Sequence, residues 1–223
     1  MVSTPSTENS TDSRVLPERR VTLYSISWDA YEQILAALGN DRAAQLTYFE
    51  ETLEIMTPLE EHENSSDLIG DFIKILVEEN NLNIKSLRST TLKRSDLAVG
   101  AEPDNCYYIA NEPAVRGKTV DLTTDPPPDL VVEVDITHTD INKTELYAKL
   151  GVPEFWRYDG RLWQIYQLHA NRYKEVSTSP TFPQVPKQRL YQFLRECAQQ
   201  GENSAKRNLR QWIREQLNDR ENL

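Results

Sequence analysis

PPPDLVVEVDITHTDINK, residues 126–143, is the stretch that decides the fold. It opens on three prolines, runs through Leu130, Val131, Val132 and Val134, and closes on Lys143. A proline fixes its own φ and pushes the preceding residue out of the helical region, so the segment starts extended. The β-branched run behind it reads as a strand over about residues 130–136. Three carboxylates interrupt it: Asp129, Glu133 and Asp135. Strand side chains alternate between faces. Asp129, Val131, Glu133 and Asp135 therefore share one face, and Leu130, Val132, Val134 and Ile136 the other. The rise per residue sets Glu133 and Asp135 about 6.6 Å apart along the strand, and Asp129 about 13 Å from Glu133. Asp129 is too distant to share a small ion with Glu133 and reads as the residue that opens the strand. The plainest alternative is an amphipathic strand with one wet face.

The next segment weighs against that alternative. THTDINKTELYAKLG, residues 137–151, carries cap candidates Thr137, Thr139 and Asp140 and stops at Gly151. On helical spacing Lys143, Leu146, Tyr147 and Leu150 share a face. Lys143 then sits in the first turn, where the helix dipole disfavours a cation, on the side that packs inward. Both costs are removed if its amine reaches the carboxylates at the end of the preceding strand. The competing reading is a lysine that snorkels to water.

Outward from this centre the chain alternates strand and helix patterns. SWDAYEQILAALG, residues 27–39, reads as the first element, a helix capped by Ser27 and ended by Gly39. Residues 43–58 alternate around Glu50-Glu51-Thr52 as a hairpin, and 60–80 form a long helix with Leu68, Ile69, Phe72, Ile73, Leu76 and Val77 inward. Short strands are expected at 83–88, 92–98 and 106–110, a helix at 140–150, and strands at 154–159, 162–168 and 173–176. Helices at 187–199 and 203–218 end the chain. The domain reading is a disordered tail at 1–19, a core domain at 20–178 and a C-terminal helical extension at 179–223. The fold class is α/β in the mixed α+β sense, a central mixed sheet flanked by helices.

The net charge of −10, from 25 basic and 35 acidic residues, excludes nucleic-acid binding by bulk positive charge. It leaves room for an enzyme that meets a phosphodiester through bound metal and local cations. Two cysteines, Cys106 and Cys197, make no disulfide framework, and the expected compartment is the cytoplasm. No apolar run approaches membrane length. Cys106 reads as a small strand hydrophobe, and His138 and His169 as structural or exposed residues.

Pro103-Asp104, PPDLVVEV, a helical lysine and LYAKLGVPEFWRYD, in this order, resemble the Uma-type restriction endonuclease family of the PD-(D/E)XK nuclease superfamily. EIMTPLEEHE, at the start of the long helix, is similar to that family's Met-(Ser/Thr)-Pro … Glu-His segment, and the likeness spans roughly residues 24–177. It implies a restriction-endonuclease-like core with a four-stranded mixed sheet, a divalent metal and phosphodiester hydrolysis. Asp104 matches the first motif acid and Glu133 the second. The superfamily's lysine two residues after that Glu is here Asp135, and the resemblance implies that Lys143 fills its place from the helix. Glu61 and His62 match the helix that adds an outer ligand or orients water.

Oxygen ligands such as Asp104 and Glu133 suit Mg²⁺ or Mn²⁺. Lys143 would orient or deprotonate the attacking water, or stabilise developing charge. Asp135 would hold Lys143 or bind a second metal. Tyr147 would hydrogen-bond substrate or serve the core. The expected partner is nucleic acid, DNA first, with a homodimer one use of the amphipathic C-terminal helix and covering its own sheet the other. Two rivals stand beside the endonuclease: a nuclease-fold binding or regulatory protein without turnover, and a two-carboxylate hydrolase of sugars.

Overall fold

The computed structural model describes residues 19–39 and 42–221. The tail expected at 1–19 lies outside them, except that Arg19 is already the first residue of a strand. That strand, β1 (Arg19–Leu23), precedes α1 (Trp28–Leu38), so the helix at 27–39 is the second element. The hairpin follows as β2 (Gln45–Phe49) and β3 (Thr52–Thr57), then α2 (Glu60–Glu79). Glu50 and Glu51 both take positive φ, 48° and 57°, as a two-residue turn between twisted strands requires.

The middle of the chain is more broken than its pattern suggests. The strand expected at 83–88 contracts to β4 (Lys85–Ser86). That at 92–98 becomes β5 (Leu92–Arg94), a 3₁₀ turn at Ser95–Leu97, and a further strand, β6 (Val99–Ala101). Ala98, with φ 48° and ψ 55°, supplies the sharp corner between them. Next come β7 (Asn105–Tyr108), the short α3 (Glu112–Val115), β8 (Leu130–Val134) and α4 (Lys143–Lys149). The chain finishes with β9 (Glu154–Tyr158), β10 (Trp163–His169), β11 (Arg172–Val176), α5 (Lys187–Gln200) and α6 (Glu202–Glu221).

Two sheets result. One is antiparallel, in the order β1-β3-β2-β6-β5. The other has the order β11-β10-β9-β8-β7-β4, and its β8–β9 pair is parallel while the remaining pairs are antiparallel. The class is the mixed α/β sheet expected, with six strands where the resemblance implied four.

β8 is buried on both faces, which removes the wet-face reading. On one side Leu130, Val132 and Val134 join Ile69, Phe72, Ile73 and Leu76 of α2, Leu190 and Phe193 of α5, and Leu209 and Ile213 of α6 in one core. The amphipathic C-terminal helix thus spends its apolar stripe on its own sheet. On the other side Val131 and Phe155 pack with Leu146, Tyr147 and Leu150 of α4 and with Phe49, Leu92 and Val99 of the antiparallel sheet. Glu133 and Asp135 share parity with Val131, so the acid of β8 points toward α4, into the space between sheet and helix.

Candidate active site

Glu133 and Arg157 lie on the paired strands β8 and β9, and Asp104 immediately precedes β7 on the other flank. β7 pairs with β8 through Asn105↔Val132, and that register continued by one residue sets Asp104 opposite Glu133. On the other flank β8 pairs with β9 through Glu133↔Arg157. Asp104 is fixed by its Oδ2, which accepts from Val134 N at 2.7 Å and lies 3.2 Å from His62 Nε2. Its Oδ1 is buried with no hydrogen-bond partner. The approach to Asp104 is held by Glu102, which pairs with Arg42 and accepts from Leu46 N at 2.9 Å and Thr91 Oγ1.

α4 delivers the cation. Its cap is Asn142, whose side chain accepts from Glu145 N at 3.3 Å, so the helix begins at Lys143 instead of near Thr137–Asp140. The expected caps are otherwise engaged. Thr139 Oγ1 donates to Glu54 at 2.9 Å, and Asp140 accepts from Thr22 Oγ1 at 3.0 Å and Tyr24 Oη at 3.1 Å. Gly151, at φ 78°, ends the helix as expected. Lys143 is buried, and its Nζ donates to Glu133 Oε2 at 2.6 Å and to Asp135 Oδ1 at 2.7 Å. Tyr147, one turn on, donates to Glu133 Oε1. Arg157 Nε donates to Asp135 Oδ2 at 2.9 Å.

The electrostatics follow from burial and count. Burial pushes Glu133 up to about 7, and the neighbouring Asp104 and Asp135 add to that while Lys143 opposes it. Burial also works on Asp135, but Lys143 and Arg157 outweigh it and hold that carboxyl below its ordinary value. For Lys143 burial is again the largest influence and favours the neutral amine. The three acids, Asp135 first, overcome it and raise the pKa, so the amine stays protonated. A lysine so held is a donor and a fixed positive charge and not a base, which narrows the roles open to it. Burial, then the Glu133 charge, raises Tyr147 well above the ordinary phenol value, so it too remains a donor.

The expected site residues separate into two groups. Asp104, Glu133, Asp135, Lys143 and His62 are brought together. Glu61 is exposed on α2 and contributes to none of these hydrogen bonds, its charge acting on Tyr158. Asp135, expected as a possible metal ligand, has one cation on each oxygen. Among the described residues no group of three or more His, Cys, Asp or Glu is gathered as a metal cage. Asp129 is far along the strand and serves structure: it accepts from Ile109 N at 2.6 Å and Asn111 N at 2.9 Å. His138 and His169 are exposed, and Cys106 is a buried free thiol whose pKa burial raises to about 12. Arg157 escaped the sequence reading, although strand parity in EFWRY sets it beside Phe155 on the α4 face.

A mixed sheet that aligns acids from neighbouring strands, with a lysine returned from the following helix, defines a restriction-endonuclease-like α/β protein. The Uma2 family model, described as "Putative restriction endonuclease", matches residues 28–197, and the chain belongs to that family. Among solved structures it is similar to "a putative nuclease belonging to DUF820" from Anabaena variabilis. That match has a TM-score of 0.52 and 17% identity, and covers 75% of this chain and 98% of the neighbour. At that identity the likeness carries the fold alone. No curated protein matches the chain. No helix among the described residues is long and apolar enough to cross a membrane.

Proposed function

We propose that this protein is a metal-dependent endonuclease that hydrolyses phosphodiester bonds of nucleic acid, with DNA the first substrate to test. The observation that carries the reading is the unpartnered, buried Oδ1 of Asp104 beside Glu133, which itself touches the Lys143 amine at 2.6 Å. An orphaned carboxylate oxygen is costly unless something fills its lone pairs. Hard oxygen donors suit Mg²⁺ or Mn²⁺, and Mg²⁺ needs only one or two carboxylates because it keeps several waters. Asp104 and Glu133 would hold that ion, which when bound supplies an acidified water and neutralises charge at phosphorus.

The chain's own groups do the rest. Lys143, protonated and fixed by two acceptors, orients the water and stabilises negative charge that develops on the phosphate. Tyr147 holds the second oxygen of Glu133, which keeps its carboxylate plane constant. His62 flanks Asp104 and steadies its orientation. Asp135 anchors Lys143 in place of ligating a metal. Residues 20–178 carry this centre, and α5 and α6 cover the opposite face of its sheet.

One observation favours a second reading, a nuclease-fold binding protein without turnover. Every oxygen of Glu133 and Asp135 already receives a hydrogen bond from the protein. The test is incubation with supercoiled DNA, single-stranded DNA and RNA plus Mg²⁺ or Mn²⁺, beside Glu133→Ala and Lys143→Ala. Cleavage by the wild type that is lost in both variants supports the endonuclease. Cleavage that persists in both defeats the site assignment. Binding without cleavage supports the second reading.

A further inference from the structure

Asp135 stands where a strand lysine is otherwise expected, and its two oxygens hold two different cations. Oδ1 accepts from Lys143 Nζ at 2.7 Å and Oδ2 from Arg157 Nε at 2.9 Å. The two cations differ in what they face. Lys143 is buried, whereas the Arg157 side chain is 37% exposed although its anchor Asp135 is only 1% exposed. Arg157 uses Nε for the anchor. Among the described residues neither Nη atom has a hydrogen-bond partner. The parallel register sets Arg157 directly across from Glu133, and its Nε bond to Asp135 keeps the guanidinium at this cluster.

We infer that Arg157 is a phosphate-binding residue of the same centre, gripping a backbone phosphate of the nucleic acid beside the one that is cut, with Asp135 as its anchor. The inference rests on the nuclease reading above. A chain of net charge −10 cannot gather a polyanion through its overall field, so cations fixed at the site must do it. A guanidinium tethered at Nε presents its two Nη groups as a preset fork, the geometry that matches two phosphate oxygens. Little side-chain entropy is then lost on binding. A residue needed only to neutralise Asp135 would have no reason to keep that end in solvent. The strand lysine's absence is explained as well: an acid in its place holds two cations, a buried Lys143 and a part-exposed Arg157.

The test is binding of fluorescein-labelled single-stranded DNA, duplex DNA and single-stranded RNA in EDTA, by anisotropy over a salt series, for wild type, Arg157→Gln and Arg157→Lys. Loss of one phosphate contact lowers the slope of log K against log salt by about 0.9 for a duplex and about 0.7 for a single strand. Arg157→Gln is expected to show that drop on whichever probe the wild type binds. Arg157→Lys is expected to restore the slope with weaker affinity, since charge returns without the fork. A merely structural arginine would shift the melting temperature and leave the slope alone, and that result overturns the inference while the nuclease reading stands. If Arg157→Gln does not fold, Arg157→Lys decides, and wild-type affinity in that variant overturns the inference. Absence of wild-type binding to all three probes overturns the inference, while the nuclease reading is decided separately by cleavage with Mg²⁺ or Mn²⁺.

Discussion

Lys143 is a buried cation between two buried carboxylates, and the energetics of the site turn on that arithmetic. Removing one partner of a buried ion pair strands the other without water, typically at about 3–5 kcal/mol. Lys143→Ala is therefore expected to lower stability in urea denaturation by about that much, because it uncovers two acids. Unchanged stability would mean that water already reaches the cluster. Tyr147→Phe should cost less, about 1–3 kcal/mol, as it leaves one Glu133 oxygen unsatisfied and no new charge. The titration of Glu133 gives a pH signature. Its folded pKa of about 7 lies above the ordinary glutamate value of 4.5, so the folded state binds more protons between those values. Its contribution to stability is full below the lower value and is lost as pH rises through the upper one. In metal-free protein the melting temperature of Glu133→Gln minus that of the wild type should thus rise from pH 4.5 to pH 7. A flat or falling difference would show that Glu133 is not held above its ordinary value. At this scale strand parity and helical spacing were enough to place Glu133, Asp135 and Lys143 together. They said nothing of Arg157 or of Asp104 facing Glu133, because both depend on which strands are neighbours and in what register.

The loop between β8 and α4 is positioned from outside itself. Buried Glu54 of β3 pairs with Arg20 of β1, accepts from Thr139 Oγ1 at 2.9 Å, and accepts from Asp140 N at 3.2 Å. The edge of the antiparallel sheet so fixes the entry to α4, and through it the reach of Lys143. Glu54→Ala frees that loop and removes one partner of Arg20. Cleavage and melting temperature are both expected to fall although no group of the centre is altered. Retained activity would show that Lys143 is positioned by its carboxylates alone. A second element test lies at Gly100 of β6, where a Cβ would come within 2.3 Å of Tyr31 Oη. Tyr31 is fully buried and stacked on Tyr48 at 4.8 Å, so the ring has nowhere to go. Gly100→Ala should destabilise by about 1–3 kcal/mol, the usual cost of overpacking. The long helices and the β2–β3 hairpin were legible because their periodicity runs for many residues. β1, with Arg-Arg ahead of Val-Thr-Leu, carried too little apolar pattern, and the expected start of α4 failed because Thr139 and Asp140 bind β3 and β1 instead of capping.

Across the whole molecule the two faces of the six-stranded sheet divide the work. The face covered by α2, α5 and α6 packs the larger apolar core and holds the sheet. The face toward α4 and the second sheet carries the charged centre. α6 joins α2 through Arg210–Glu78 at 2.9 Å and Arg214–Glu79 at 2.7 Å, but each pair has a partner open to solvent and contributes little. Ala205, Leu209 and Ile213, all buried, are what fasten the helix. Leu209→Ala should therefore cost about 2–5 kcal/mol, and Arg214→Ala no more than about 1 kcal/mol, in the same denaturation experiment. The measurement closest to the central claim is metal-dependent cleavage of a labelled oligonucleotide by Asp104→Asn beside the wild type, with bound Mn²⁺ counted in the same samples. Wild type is expected to bind Mn²⁺ and cut, and Asp104→Asn to lose both while keeping its fold. An Asp104→Asn variant that binds Mn²⁺ and cuts like the wild type would contradict that claim.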